Sequence, residues 1–188
     1  MIVFSLRTPL AEIDLLPLQA GDRVLLTGCL YTARDTAHQR LVALLNQGLS
    51  PPFPLEGSVL YYCGPSPAPP GRVIGSAGPT TAGRMDPYTP CLLATGVRAT
   101  IGKGPRSLVI QQAMVQYRAI YLAATGGAGA LLAQTIIAVE LVAYPELGPE
   151  AIYRLQVVDF PAIVAIDLAG RDLYQQVRQQ TVCGDRGC

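Results

Sequence analysis

An α/β fold in a single domain is what this sequence predicts, and three observations predict it. Runs of apolar and β-forming residues, such as 23–31 (RVLLTGCLY), 58–63 (SVLYYC) and 119–124 (AIYLAA), each give way to a polar, proline-rich or glycine-rich loop. Between them the apolar residues take a helical period: Ala37, Leu41, Leu44 and Leu45 recur at i, i+4, i+7 and i+8, and Ile110, Ala113, Met114 and Tyr117 share one face. The polar, chemistry-bearing residues collect on the loops where strands hand over to helices. A chain of 188 residues is long enough to bury one full core.

Taken in order, residues 2–6 alternate weakly and are expected as an opening strand, with Thr8-Pro9 as a break. Residues 11–20 carry Leu15, Leu16 and Leu18 around Pro17, too irregular to be read as a helix, and Gly21-Asp22 turns the chain. The strand at 23–31 delivers the chain to Thr32-Ala33-Arg34-Asp35, whose hydroxyl and carboxylate have capping-box spacing, starting a helix that carries Arg34 in its first turn and ends near Asn46. Residues 48–57 are a loop, 58–63 a strand, and 64–71, with four prolines in eight residues, a stiff connector. Asp86-Pro87 reads as N-cap and first residue of a helix reaching about Thr95 and stopped by Gly96. Residues 97–101 form a short strand, and Gly104-Pro105 opens the next helix. After strand 119–124, Gly126-Gly127-Ala128-Gly129 reads as tight strand-to-helix packing, because the Lys-Ser/Thr of a P-loop and a full GxGxxG are absent, and residues 131–134 turn helical. A strand at 136–143, a turn at 145–148, a short helix at 149–154 and two strand pieces, 155–158 and 162–167 around Phe160-Pro161, complete the domain. The domain is expected over residues 1–178, with 179–188 as a flexible tail.

Charged residues are 14% of the chain, against about 25% in ordinary domains, and the mean hydropathy is +0.32. That balance suggests a subunit with much of its outside covered by partners. A net charge of +1 without a basic stripe argues against nucleic acid and anionic membrane as partners, while leaving room for a small anion at a local site. The apolar-rich stretch 119–143 is interrupted by Gly126, Gly127, Gly129, Gln134 and Glu140, and MIVFSLRTPL has no basic n-region, so a cytoplasmic location is expected. The five cysteines form no CxxC, and an odd count argues against a disulfide framework. Cys29, Cys63 and Cys91 with His38 as a zinc set is conceivable, but buried free thiols are the favoured reading for these three.

The candidate site is Gly78-Pro79-Thr80-Thr81-Ala82-Gly83-Arg84-Met85-Asp86, which gathers two hydroxyls and an arginine between flexible glycines. On this reading Arg34, Arg84 and Lys103 all stand at or just ahead of helix N-termini, where a cation costs about 0.3–1 kcal/mol. Convergence of the three on a ligand with two or more negative charges would explain the placement. The alternative for each is solvation or pairing with a nearby acid such as Asp35 or Asp86. His38, one turn after Arg34, is expected on the helix surface or as a hydrogen-bonding support behind the site.

Five stretches, 32–40 (TARDTAHQR), 75–86 (GSAGPTTAGRMD), 101–104 (IGKG), 126–131 (GGAGAL) and 150–174 (EAIYRLQVVDFPAIVAIDLAGRDLY), resemble, in order, the C-terminal domain or separate β subunit of class I iron–sulfur fumarases and L-tartrate dehydratases. The second is the specific one. The resemblance implies a swivelling β/β/α domain that closes on a partner α subunit carrying a 4Fe-4S cluster, with no metal ligated by this chain and no activity without the partner. It implies Arg34, Arg84 and Lys103 as carboxylate-binding cations and Thr80 as the base acting on the carbon next to a carboxylate, with Thr81 adding an orienting hydrogen bond. A threonine hydroxyl is a poor base, so that role needs surrounding cations. The implied reaction is reversible trans hydration of fumarate to L-malate, the partner's iron taking the hydroxyl, in an oligomer such as a two-plus-two heterotetramer. L-tartrate dehydratase and mesaconase β subunits are the near alternatives, and a non-catalytic dicarboxylate-binding subunit is the alternative from another class.

Overall fold

The computed structural model describes residues 2–184. The chain runs β1 (Val3–Arg7), α1 (Glu12–Leu15), β2 (Arg23–Thr32), α2 (Asp35–Asn46), β3 (Val59–Tyr61), a 3-10 turn (Ala82–Met85), α3 (Thr89–Ala94), β4 (Ala99–Gly102), α4 (Leu108–Gln116), β5 (Ile120–Ala123), α5 (Gly129–Gln134), β6 (Ile136–Ala143), a second 3-10 turn (Pro145–Glu150), β7 (Ile152–Ile166) and α6 (Leu173–Gly184). It is a single α/β domain with a mixed sheet. Among the described residues no helix is long and apolar enough to cross a membrane.

Strands β1 to β5 pair in parallel in sequence order, and β7 runs antiparallel to β5, β2 and β6. Since β2 pairs with β3 at Tyr31 and Thr32 and with β7 from Arg23 to Tyr31, the pairings β2-β3-β4-β5-β7 return to β2 and close a circuit. The two-residue period of each strand then sorts its side chains into two cores. Val59 and Tyr61 of β3, Ile101 of β4 and Ile120 and Leu122 of β5 join Leu26, Leu30, Val157 and Phe160 on the inner side. Leu60, Tyr62 and Tyr121 face outward against Ala37 and Leu41 of α2, Leu92 and Leu93 of α3, and Ile110 and Met114 of α4. Each such burial is worth about 1.5–3 kcal/mol, so both layers depend on the alternation being kept.

Four expectations need correction. The two strand pieces around Phe160-Pro161 are one fifteen-residue strand. Between the segment paired with β6, ending at Val157, and that paired with β5, beginning at Ile163, β7 has β2 as its sole neighbour, so Pro161 deprives no second ladder of an N–H. The expected helix at 149–154 is instead the end of a 3-10 turn followed by the start of β7, with left-handed Tyr144 (φ 60°) turning the chain into it. Strand β3 is shorter than expected. Finally, α6 carries helical backbone to Gly184, into the stretch expected as a tail; the rest of that expectation, residues 185–188, lies outside the described residues.

The β2–β7 register shifts at Leu26/Gly28, and Gly28 takes φ +125° there. A Cβ on Gly28 would stand 2.3 Å from Thr8 Oγ1, which accepts the Cys29 N–H at 2.6 Å. Gly28→Ala is therefore expected to lower the urea-unfolding free energy by more than about 1 kcal/mol; an unchanged midpoint would refute the close approach.

Candidate active site

The parallel strands β2, β3, β4 and β5 all end on one edge of the sheet, the edge where α/β proteins bind ligands. The loop of residues 75–86 returns to that edge. Tyr61 donates its hydroxyl to Ala77 O at 2.6 Å, and burial holds that phenol well above its ordinary pKa, so it stays a donor. Ala77 N–H donates to Gly129 O at 3.1 Å, and a Cβ on Gly129 would lie 2.4 Å from Ser76 Oγ and 2.9 Å from Gly78 N. Gly129 of GGAGAL thus lets two loops touch, a loop-to-loop contact in place of the expected strand-to-helix packing.

Residues 80–82 then wedge between the extensions of β3 and β4. Thr80 N–H donates to Tyr62 O (2.7 Å), Lys103 N–H to Thr80 O (3.0 Å) and Ala82 N–H to Lys103 O (2.9 Å). Thr80 and Thr81 are in this way locked in register with Lys103 by the backbone. Neither threonine hydroxyl is engaged by a protein group among the described residues, and Lys103, exposed, has no ion-pair partner among them.

The two arginines are paired. Arg84 grips Asp35 side-on, Nε to Oδ1 at 3.0 Å and Nη2 to Oδ2 at 2.7 Å, and Arg34 reaches Glu150 at 3.2 Å. The pairing alternative therefore holds for both, with Glu150 an acid that the sequence reading did not single out. Three cations against these two carboxylates leave one net positive charge on the edge.

The expected helix starts are displaced. Arg34 is the N-cap of α2, without a side-chain cap, and Thr32 is not a capping residue: its Oγ1 donates to Ala151 O (3.2 Å) and accepts from Tyr153 N–H (2.9 Å), tying β2 to the start of β7. Helix α3 begins at Thr89, so Asp86 does not cap it and Arg84 lies in the preceding 3-10 turn. Helix α4 begins at Leu108, leaving Lys103 in the loop ahead of it. Asp86 is drawn away because Arg106 and the Ser107 N–H take its two oxygens, at 2.6 and 2.9 Å.

Arg106 is the residue that sequence reasoning missed. Its side chain is fully buried, with Thr89 Oγ1 at 2.8 Å and the rings of Tyr62 and Tyr121 at 5.4 and 5.2 Å. Nothing local distinguishes it from other arginines, since its partner lies 20 positions upstream.

His38 is fully buried, which corrects the helix-surface expectation. Its Nδ1 lies 2.8 Å from Arg34 O; a carbonyl can only accept, so Nδ1 carries the proton and Nε2, buried and without a partner, is a bare lone pair. Burial first, with Arg106 adding to it and the Arg34 carbonyl and Asp35 opposing, lowers its pKa to about 4. Cys63 is buried, and burial pushes its thiol up to about 12; Cys29 and Cys91 are free but partly exposed, short of the full burial expected. The three sit on β2, beyond β3 and on α3, and no group of His, Cys, Asp or Glu among the described residues could hold a metal.

The family profile described as fumarase C-terminus matches residues 2–177. The chain belongs to the fumarase C-terminus family. Among its relatives, the anaerobic class I fumarate hydratase of Escherichia coli (strain K12) is 41% identical over 177 residues, 92% of this chain and 32% of the relative. Fumarate hydratase 2 of Leishmania major is 40% identical over 158 residues, 83% of this chain and 28% of the relative. The putative L(+)-tartrate dehydratase subunit beta of Methanocaldococcus jannaschii is 38% identical over 177 residues, with 91% of each chain covered. The chain thus spans about a third of the length of the fumarate hydratases it matches, and nearly all of a protein named as a subunit.

Two outcomes are expected. Asp86→Ala leaves the Arg106 charge buried without its carboxylate and should cost about 3–5 kcal/mol in urea unfolding, part of it recovered on adding Arg106→Met. Folded His38 titrates near 4 and its unfolded form near 6.5, so the folded state binds fewer protons in between; stability is complete above about 6.5 and falls as the pH drops toward 4, by roughly 3 kcal/mol in all. Urea titrations from pH 7 to 4 should show this loss in the wild type and not in His38→Asn.

Proposed function

We propose that this chain is the β subunit of a two-component hydro-lyase that reversibly hydrates fumarate to L-malate, lending its loop edge to a site completed by an α subunit. The observation that supports this best is the backbone register of Thr80 and Thr81 with Lys103, beside the arginines at the end of β2 and in the 3-10 turn. A threonine hydroxyl without a protein partner among the described residues, on an edge with net positive charge that favours its alkoxide, suits proton exchange with a carbon beside a carboxylate. Lys103, Arg34 and Arg84 bind and orient the two carboxylates and stabilise the charge that develops as the proton moves. In the hydration direction Thr80 Oγ1 gives its own proton to carbon and is left as an alkoxide held by the surrounding cations; in the dehydration direction that alkoxide takes the carbon-bound proton back, and Thr81 orients. The 4Fe-4S cluster belongs, in this reading, to the α subunit, against which this domain swivels as a unit, in a cytoplasmic oligomer.

L-tartrate dehydration is a second reading, favoured by the near end-to-end match with the archaeal tartrate dehydratase β subunit. Its substrate carries one more hydroxyl and presents the same two carboxylates, so the same cations serve.

The test is anaerobic co-expression with an iron–sulfur α subunit and steady-state assays on fumarate, malate, tartrate and mesaconate. Activity should require both chains and vanish in Thr80→Ala, while Arg84→Ala and Lys103→Ala should each lower kcat/KM about a hundredfold or more with assembly intact. Full activity in both cation variants would refute the assignment. A stable complex inactive on every substrate, with malate bound by this chain alone, would favour a non-catalytic binding subunit.

A further inference from the structure

We infer that Glu150 is the positioning residue that fixes Arg34 for carboxylate binding, an inference that rests on the hydro-lyase reading. Arg34 leaves the end of β2. At Gly64 a Cβ would lie 3.0 Å from Arg34 Nη1, 3.1 Å from its Cδ and 3.0 Å from Pro149 O, so Gly64, Arg34 and the Pro149–Glu150 corner pack closely together. There Arg34 Nη2 meets Glu150 Oε1 at 3.2 Å, and Nε is buried with no partner. Arg84 shows the same guanidinium edge in full use, with Nε and Nη2 both on Asp35. Glu150 takes one prong of that edge in Arg34, whose side chain, 24% exposed, stays open to a ligand elsewhere.

Glu150 is held independently of Arg34, which makes it a buttress and not a follower. Thr32 Oγ1 ties Ala151 O and Tyr153 N–H to the end of β2. Arg40 of α2 pairs with Glu146 and stacks over the Tyr144 ring at 4.9 Å, docking the other end of the corner. The backbone that carries Glu150 is therefore fixed without Arg34, and the longer arginine takes its position from the carboxylate presented there. Asp35 does the same for Arg84, so each candidate carboxylate-binding arginine is aimed by one acid, while Lys103 is aimed by backbone register alone.

The test uses Glu150→Ala and Glu150→Gln in the full chain and in the complex with the α subunit. In 15N spectra of the chain alone, with the Arg34 Nε–H assigned by its loss in Arg34→Lys, exchange with water should be slow in the wild type and about tenfold or more faster in Glu150→Ala. In the complex, Glu150→Ala should raise KM for the dicarboxylate about tenfold or more with kcat changed far less, and Glu150→Gln, which keeps an acceptor in place, should recover most of both readouts. Unchanged Nε–H exchange in Glu150→Ala overturns the inference whatever the activity. Faster exchange with unchanged KM in an active complex overturns the link to substrate. A wild-type complex inactive on fumarate, malate, tartrate and mesaconate overturns the hydro-lyase reading and the substrate half of this inference with it, the exchange data still deciding whether Glu150 positions Arg34.

Discussion

A buried guanidinium has to be paired, and that requirement shapes the edge where the candidate site lies. Arg106 sits between the outer face of the sheet and α3, with no solvent to hold its charge. Its field and hydrogen bonds are met by Asp86, Thr89, Thr100 and Tyr62, contributed by the loop, α3, β4 and the end of β3. Asp86 cannot both cap its own helix and serve Arg106, and the buried charge wins because leaving it unpaired costs several kcal/mol against about 1 kcal/mol for a cap. The loop carrying Thr80, Thr81 and Arg84 is thereby pinned at its far end; its near end is pinned by Tyr61 on Ala77 and by the contact with Gly129.

The closed circuit of strands explains why the site has a rigid floor. Strand β7 is long enough to border β6, β2 and β5 in turn, so the parallel strands cannot splay without breaking its ladders. Residues placed just beyond the ends of β2, β3 and β4 inherit that rigidity. The wedge of residues 80–82 adds a piece of backbone pairing that belongs to no regular strand, and it sets the Thr80–Thr81 backbone in register with Lys103.

Electrostatically the edge is moderated and not simply basic. Asp35 and Glu150 offset Arg84 and Arg34 and at the same time fix the direction of each fork, while Lys103 keeps its charge for whatever approaches. Behind them His38 remains neutral, since burial outweighs the carbonyl that would favour its proton. A neutral imidazole there adds no fourth positive charge to the edge, and its donor to Arg34 O steadies the N-terminal turn of α2.

By itself the sequence determined the α/β class, most strands and the faces of α2 and α4, because periodicity and turn chemistry are local signals. The same local signals misled wherever a distant partner outbid them: Asp86 turned from Pro87 to Arg106, Thr32 from its own helix to the Ala151–Tyr153 backbone, and Pro161 stayed within a strand whose neighbours left room for it. Arg106, Glu150 and the burial of His38 were decided by tertiary structure alone. Each depends on a contact or an enclosure made by residues far apart in the chain, and a charge or a lone pair has its energy set by what surrounds it in space.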